Sequence, residues 1–179
     1  VLRQKQTFRD HLLGDLGWSL LLGPVLSVGY ELSIRGESRV ETLLFGFVWA
    51  AIVFYRIQLQ NFEVITEASM AKIRNSITWL GFDKGKNGIL IIWGVCLVLF
   101  TMFQVLYSHW LNWISILVIC GFFTFKVRKV FQNLTSPIGS EMALFVKEFH
   151  QLYVLLTSLW CLSLSFMMFA QYTTKFLVS

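Results

Sequence analysis

The chain has 179 residues, of which 56% are hydrophobic, 16% aromatic and 14% charged, and its mean hydropathy is +0.65. A soluble globular domain carries about 25% charged residues and a disordered chain is poor in apolar residues, so this composition excludes both classes. The net charge of +5 does not indicate a nucleic-acid partner, because the basic residues stand between long apolar runs without a base-stacking or phosphate-binding module. The composition predicts an integral membrane protein that lies in the lipid bilayer.

Five apolar stretches predict five membrane-spanning helices, since the hydrocarbon core of a bilayer requires about 20 mostly apolar residues per helix. In chain order they cover residues 16–34, 42–62, 88–107, 111–125 and 149–170. The short link between the third and fourth stretches predicts a helical hairpin, and the polar turn around Pro137 separates the fourth from the fifth. The sequence therefore predicts an all-α fold, a polytopic transmembrane helical bundle that forms a single domain.

The distribution of basic residues predicts how the bundle is oriented. With five alternating spans, 12 of the 15 Lys and Arg residues fall on one side of the membrane. The other side receives Arg35, Arg39 and Lys175. Because cytoplasmic loops carry an excess of Lys and Arg, we expect the amino terminus and the loops 63–86 and 126–147 to face the cytoplasm.

A polar stripe marks the end of the second predicted span. Arg56, Gln60, Glu63 and Glu67 stand at i, i+4, i+7 and i+11, which places them on one narrow face of a continuous helix. Hard oxygen ligands on such a face could hold Mg²⁺ while the ion stays bound to substrate phosphates, and nearby cations could neutralise a diphosphate. The alternative is a helix end that emerges into water, with a snorkelling Arg56 and solvated glutamates.

At this stripe the chain resembles the UbiA-type intramembrane aromatic prenyltransferases, most of all the dihydroxynaphthoate prenyltransferases, with chlorophyll synthase as a relative. The family has a second acidic motif, about Asn-x-x-Asp-x-x-x-Asp, which is followed by a basic loop and a Leu-Gly pair. The corresponding residues here are Gln60-x-x-Glu63-x-x-x-Glu67, then Lys72, then Leu80-Gly81. The segments LGDLGWSLLLGPVLSVGYEL (13–32) and LTSPIGSEMALFVKEFHQLYVLL (134–156) are also similar to the family. The resemblance covers almost the whole chain, but only the carboxy-terminal half of a nine-helix fold.

The chain departs from the family pattern at several positions. Both motif aspartates are glutamates, the usual asparagine is Gln60, and the typical Gly-Lys-Arg-Thr is AKIR at 71–74. The register needs one extra residue before Gly81, and without it Val64 and Ala68 would replace the two acids. The first acidic motif of the family would lie upstream of Val1, so we expect that an upstream half is missing from this sequence.

The resemblance implies a mechanism and a set of site residues. Glu63 and Glu67 would be Mg²⁺ ligands, Lys72 and Arg74 would be catalytic diphosphate contacts, and Arg56, Gln60 and Asn61 would bind substrate. The substrates would be an isoprenoid diphosphate and an aromatic acceptor, a quinone precursor or a chlorophyll-type ring. The location would be an inner (cytoplasmic) or thylakoid-type membrane.

Two other functions stay open at this stage. A non-catalytic subunit could keep the fold, lose the chemistry and pack against other membrane subunits, for example in a photosynthetic complex that carries chlorophyll or quinone. His109 and His150 could ligate chlorophyll, although a lone histidine at a helix end is more often an interfacial polar residue. An ion or solute transporter is less favoured, because only the second span carries a charged face.

Overall fold

A computed structural model describes residues 12–71, 75–107, 121 and 129–178, and its elements within these residues are helices. Residues 129–133 are also helical. In chain order the elements are α1 (Leu12–Leu20), a π-helical turn (Leu21–Val25), α2 (Leu26–Arg35), α3 (Val40–Glu63), α4 (Ile65–Met70), α5 (Ser76–Leu80), α6 (Phe82–Tyr107) and α7 (Ser140–Val178).

The described residues confirm an all-α fold. Two stretches, Val40–Glu63 and Phe82–Leu106, are long and apolar enough to cross a membrane, which weakly supports membrane association. The first and fifth predicted spans fall within α1–α2 and α7, whereas the fourth (111–125) lies outside the described residues except for residue 121. The number of five spans and the likeness to the UbiA fold stay predictions.

The core of the bundle forms where α3, α6 and α7 face one another. Each helix contributes one stripe of buried side chains at intervals of three and four residues, the spacing that keeps one face of a helix against its neighbours. The stripes are Val48, Ile52, Tyr55, Leu59 and Phe62 on α3; Ile89, Trp93, Cys96, Phe100 and Phe103 on α6; and Met142, Phe145, Phe149, Leu152, Leu156 and Trp160 on α7. The Tyr55 hydroxyl donates to the Phe149 carbonyl at 3.0 Å and so links α3 to α7 inside this core.

A close crossing joins the first helical segment to α3. Pro24 lies in the π-helical turn, where the wider turn accommodates a residue that lacks an N–H. Gly23 and Pro24 pack directly on Gly46, and a Cβ at Gly46 would lie 2.8 Å from the Pro24 nitrogen. The backbones approach so closely because neither glycine has a side chain at the crossing.

Several short elements connect α3 to α6. The helix α3 ends at Glu63, because Val64 leaves the helical conformation with φ −95° and ψ 14°. Asn75 caps α5 by a capping box: its side chain accepts from the Thr78 N–H at 2.7 Å, while its own N–H donates to the Thr78 hydroxyl at 2.8 Å. Gly81 then takes φ +80°, which a side chain would disfavour, and the chain turns into α6.

Candidate functional site

A groove of about 970 Å³ lies between the junction of α3 with α4 and the first turns of α7. Its polar lining residues are Arg56, Glu63, Thr66, Glu67, Lys147, His150 and Gln151. Its other lining residues are Met70, Pro137, Ile138, Gly139, Met142, Ala143 and Val146. Thr66 fixes one wall, because its hydroxyl donates to the Pro137 carbonyl at 3.3 Å. Carboxylates and cationic side chains therefore share one cleft with an apolar wall.

The two glutamates of the predicted motif lie on either side of the helix break. Glu63 is the last residue of α3 and Glu67 belongs to α4, and both are exposed in the groove. The sequence predicted one continuous helix through both residues, whereas the structure interrupts the helix at Val64, between α3 and α4. Gln60, which the same helical face included, is exposed and does not line the groove.

Arg56 is held in the groove by two residues of α7. Its Nη1 lies 3.0 Å from the His150 Nδ1, and its Cζ lies 5.7 Å from the centre of the Tyr153 ring. A guanidinium group only donates, so Nδ1 must accept in this contact and the imidazole proton is assigned to Nε2. The cation–π contact and the hydrogen bond together hold a permanent positive charge at the groove.

The donor set of the groove fits one mode of magnesium binding. Mg²⁺ is usually bound through one or two carboxylates, and it keeps several waters or substrate phosphate oxygens in its other positions. Glu63 and Glu67 supply two carboxylates beside the cations Arg56 and Lys147. Over the described part of the chain, no group of three His, Cys, Asp or Glu side chains stands close enough to hold a metal ion alone. The groove therefore suits an ion that arrives with a phosphorylated ligand.

The remaining predicted site residues are not brought to this groove by the described contacts. Lys72 and Arg74 lie outside the described residues. Asn61 points to a second polar cluster, where its Nδ2 donates to Asp15 Oδ2 at 3.0 Å and lies 3.4 Å from the Ser76 hydroxyl. Asn61 thus joins α3 to α1 and α5 in this structure.

A cluster of buried polar side chains surrounds Asp15. Asp15, Gln58 and Ser76 are 3%, 1% and 4% exposed. The Gln58 amide donates to Asp15 Oδ2 at 2.9 Å, and the Ser76 hydroxyl lies 3.0 Å from the same oxygen and 2.6 Å from Gln58 Oε1. A carboxylate removed from water needs such donors, so the cluster fixes α1, α3 and α5 against one another.

Sequence reasoning did not predict the cluster that Asp15 forms with Gln58 and Ser76. The spacing of the amides on α3 could have revealed the cluster. At about 100° per residue, Gln58 and Asn61 lie about 200° and 140° around the helix from Arg56. They therefore occupy the face opposite the charged stripe. A helix that crosses a membrane and carries amides on a second face must satisfy them inside the protein.

Comparison with known proteins does not assign the chain to a family. No family model matches the chain, and no similar protein is found among curated proteins or solved structures. Within the described residues, the groove beside Glu63 and Glu67 and the buried cluster around Asp15 are two polar sites that bear on function.

Proposed function

We propose that the chain is part of a UbiA-type membrane prenyltransferase and that the groove beside Glu63 and Glu67 binds an isoprenoid diphosphate together with Mg²⁺. The reaction would transfer the isoprenoid from its diphosphate to an aromatic acceptor, a quinone precursor or a chlorophyll-type ring. The observation that carries the proposal is that both glutamates line one groove with Arg56 and Lys147. Two anions and two cations in one cleft are what a metal-bridged diphosphate requires.

The residues of the groove have separate tasks in this proposal. Glu63 and Glu67 would hold the metal ion, which when bound offsets the charge of the diphosphate and makes it a better leaving group. Arg56, oriented by His150 and Tyr153, would bind a phosphate oxygen from the α3 side. Lys147 would bind from the α7 side, and Lys72 and Arg74 would act with it.

The apolar wall of the groove supports an isoprenoid rather than a small phosphate ester. Met142 and Val146 line the cleft one turn apart on α7, and Ile138 precedes them in the turn before this helix. A prenyl chain that leaves the charged end of the groove would contact these side chains and avoid water. The chain would then continue toward the aromatic residues of the core, whose ring faces stabilise carbocations.

The test is Mg²⁺-dependent prenyl transfer by the full-length protein in membranes, with a radiolabelled isoprenoid diphosphate as donor. We expect Glu63→Gln and Glu67→Gln each to lower transfer at least about tenfold, since groups that support a bound metal are worth about 10–100-fold. Glu41→Gln is the matched control, because Glu41 is exposed in the first turn of α3, far from the groove. Wild-type rates in both groove variants would refute the metal-ligand assignment.

A non-catalytic subunit is the second candidate. It is favoured by the departures from the family motif, since both motif aspartates are glutamates here and the usual asparagine is Gln60. A subunit of this kind would associate with other membrane proteins, including ones that bind chlorophyll or quinone. Intact-mass measurement after mild purification separates the two: a chain of about 20.7 kDa that co-purifies with a larger complex and lacks transfer activity supports the subunit.

A further inference from the structure

His150 is a half-buried residue of α7 that lines the groove beside Glu63 and Glu67. It follows Lys147 by three positions, so the two side chains stand on the same face of α7. From the facing helix α3, the Arg56 Nη1 lies 3.0 Å from the His150 Nδ1. His150 therefore stands beside the cations that α3 and α7 contribute to the groove.

The contact with Arg56 determines which nitrogen of the imidazole carries the proton. A guanidinium group only donates, so Nδ1 accepts, and the single proton of a neutral imidazole is assigned to Nε2. The two nitrogens point to different sides of the ring. His150 thus has one uncharged N–H donor that the contact with Arg56 does not use.

This N–H donor is accessible to a ligand. Within the described residues the His150 Nε2 has no hydrogen-bond acceptor, and the atom is not enclosed by protein. The Tyr153 ring supports the imidazole, with ring centres 6.1 Å apart and an angle of 34° between the planes. Arg56 and Tyr153 together hold the ring in place, while its Nε2 stays free to donate at the groove.

Arg56 also keeps most of its donors. A guanidinium group has five N–H donors, and the contact with His150 uses one of them. Among the described residues, neither side chain donates to the carboxylates of Glu63 and Glu67, which line the same groove. Hydrogen bonds to an ionised acceptor are about twice as strong as those to a neutral one, so these donors favour a ligand with several anionic oxygens.

We infer that His150 is a further substrate-binding residue of the groove and that its Nε2–H donates to a phosphate oxygen of the isoprenoid diphosphate. The inference rests on the proposed function, which supplies the diphosphate as the ligand. Arg56 and Lys147 contribute positive charge, whereas His150 contributes an uncharged donor whose direction is fixed by its neighbours. Because this donor carries no charge, it contacts the diphosphate without attracting Glu63 or Glu67 as strongly as a third cation would.

Equilibrium binding of a substrate analogue tests this contact. Full-length protein in detergent would be titrated with geranylgeranyl S-thiolodiphosphate, an analogue that reacts poorly, in the presence of Mg²⁺, and calorimetry would give the Kd. We expect His150→Phe to raise the Kd about tenfold, the equivalent of one hydrogen bond to a charged group. His150→Gln keeps an amide donor and should raise the Kd less. Asn87→Phe is the matched control, because Asn87 is exposed on α6 and lies outside the groove.

The same titration in an Arg56→Gln background separates a direct contact from an effect through Arg56. In this background we expect His150→Phe to raise the Kd at least about threefold further, because the N–H donor is lost in addition to the guanidinium. No further rise would show that His150 acts only by positioning Arg56, and it would overturn the inference. A wild-type Kd in the single variant His150→Phe would also overturn it, while analogue binding by the wild-type protein would leave the proposed function standing.

Two controls on the ligand complete the test. If the wild-type protein does not bind the analogue, the proposed function fails and the inference fails with it. Geranylgeraniol lacks the diphosphate, so His150→Phe should leave its binding unchanged. An equal loss of affinity for the alcohol and for the analogue would mean that the substitution disturbs the apolar wall, and the phosphate contact would be refuted.

Discussion

The crossing of α3 over the π-helical turn predicts that Gly46→Ala is strongly destabilising. A Cβ at Gly46 would overlap the Pro24 backbone and lie 3.1 Å from the Gly23 carbonyl carbon. These atoms belong to the main chain of a packed helix, so they cannot move aside as the end of a flexible side chain can. The two helices would have to separate along the crossing.

Two opposing effects set the size of the loss. Added methyl groups in a tightly packed interior cost about 1–3 kcal/mol, and contact with backbone atoms places this position near 3 kcal/mol. Replacing a helical glycine by alanine returns about 0.5–1 kcal/mol of backbone entropy. The net loss in the free energy of unfolding is therefore about 2 kcal/mol, which lowers the melting temperature of a chain of this size by about 4–8 °C.

Gly29→Ala is the matched control for this substitution. Gly29 lies in α2 and a Cβ there would meet no atom within 4 Å, so only the entropic gain remains. We expect its melting temperature to rise by about 2 °C, for a gain of about 0.5–1 kcal/mol. Thermal unfolding of both variants in the same detergent, followed by tryptophan fluorescence, measures the contrast. A Gly46→Ala protein as stable as Gly29→Ala would refute the close crossing.

Two further predictions concern buried hydrogen bonds. Asp15→Ala leaves the buried donors Gln58 on α3 and Ser76 on α5 without their acceptor. We therefore expect the free energy of unfolding to fall by about 1–3 kcal/mol. The control is Asp83→Ala, which should change the free energy of unfolding little because Asp83 is exposed. Tyr55→Phe removes the hydroxyl that donates to the Phe149 carbonyl, and we expect it to lower the melting temperature by about 2–4 °C, the equivalent of about 1 kcal/mol. Tyr30→Phe is its control because Tyr30 is 70% exposed, and equal melting temperatures for the two tyrosine variants would contradict the buried contact.

The hydropathy of the sequence located the described helices, but their ends only in part. The predicted span 42–62 corresponds to Val40–Glu63, because a long apolar run that can bury one face has no stable alternative to a helix. The predicted span 88–107 begins six residues too late, since α6 starts at Phe82 and carries the polar residues Asp83 and Lys84 in its exposed first turn. Hydropathy locates the apolar part of a helix and not the polar turns that extend it.

The polar stripe was predicted in part. Helical spacing placed Arg56, Glu63 and Glu67 on one face, and all three line one groove. Spacing could not reveal the break at Val64 or that Gln60 lies outside the groove, because periodicity assumes a continuous helix. Nor could it show that His150, 94 positions away in the chain, orients Arg56.

The sequence by itself predicted the all-α fold, the positions of the two long apolar helices α3 and α6, and the face that Arg56, Glu63 and Glu67 share. These properties depend on residues close together in the chain, and helical geometry makes them readable from spacing alone. Only the tertiary structure decided which faces meet: Asp15 with Gln58 and Ser76, or Trp160 with Phe45. Such contacts depend on where helices cross, and here a glycine at position 46 lets two backbones approach where any side chain would hold them apart.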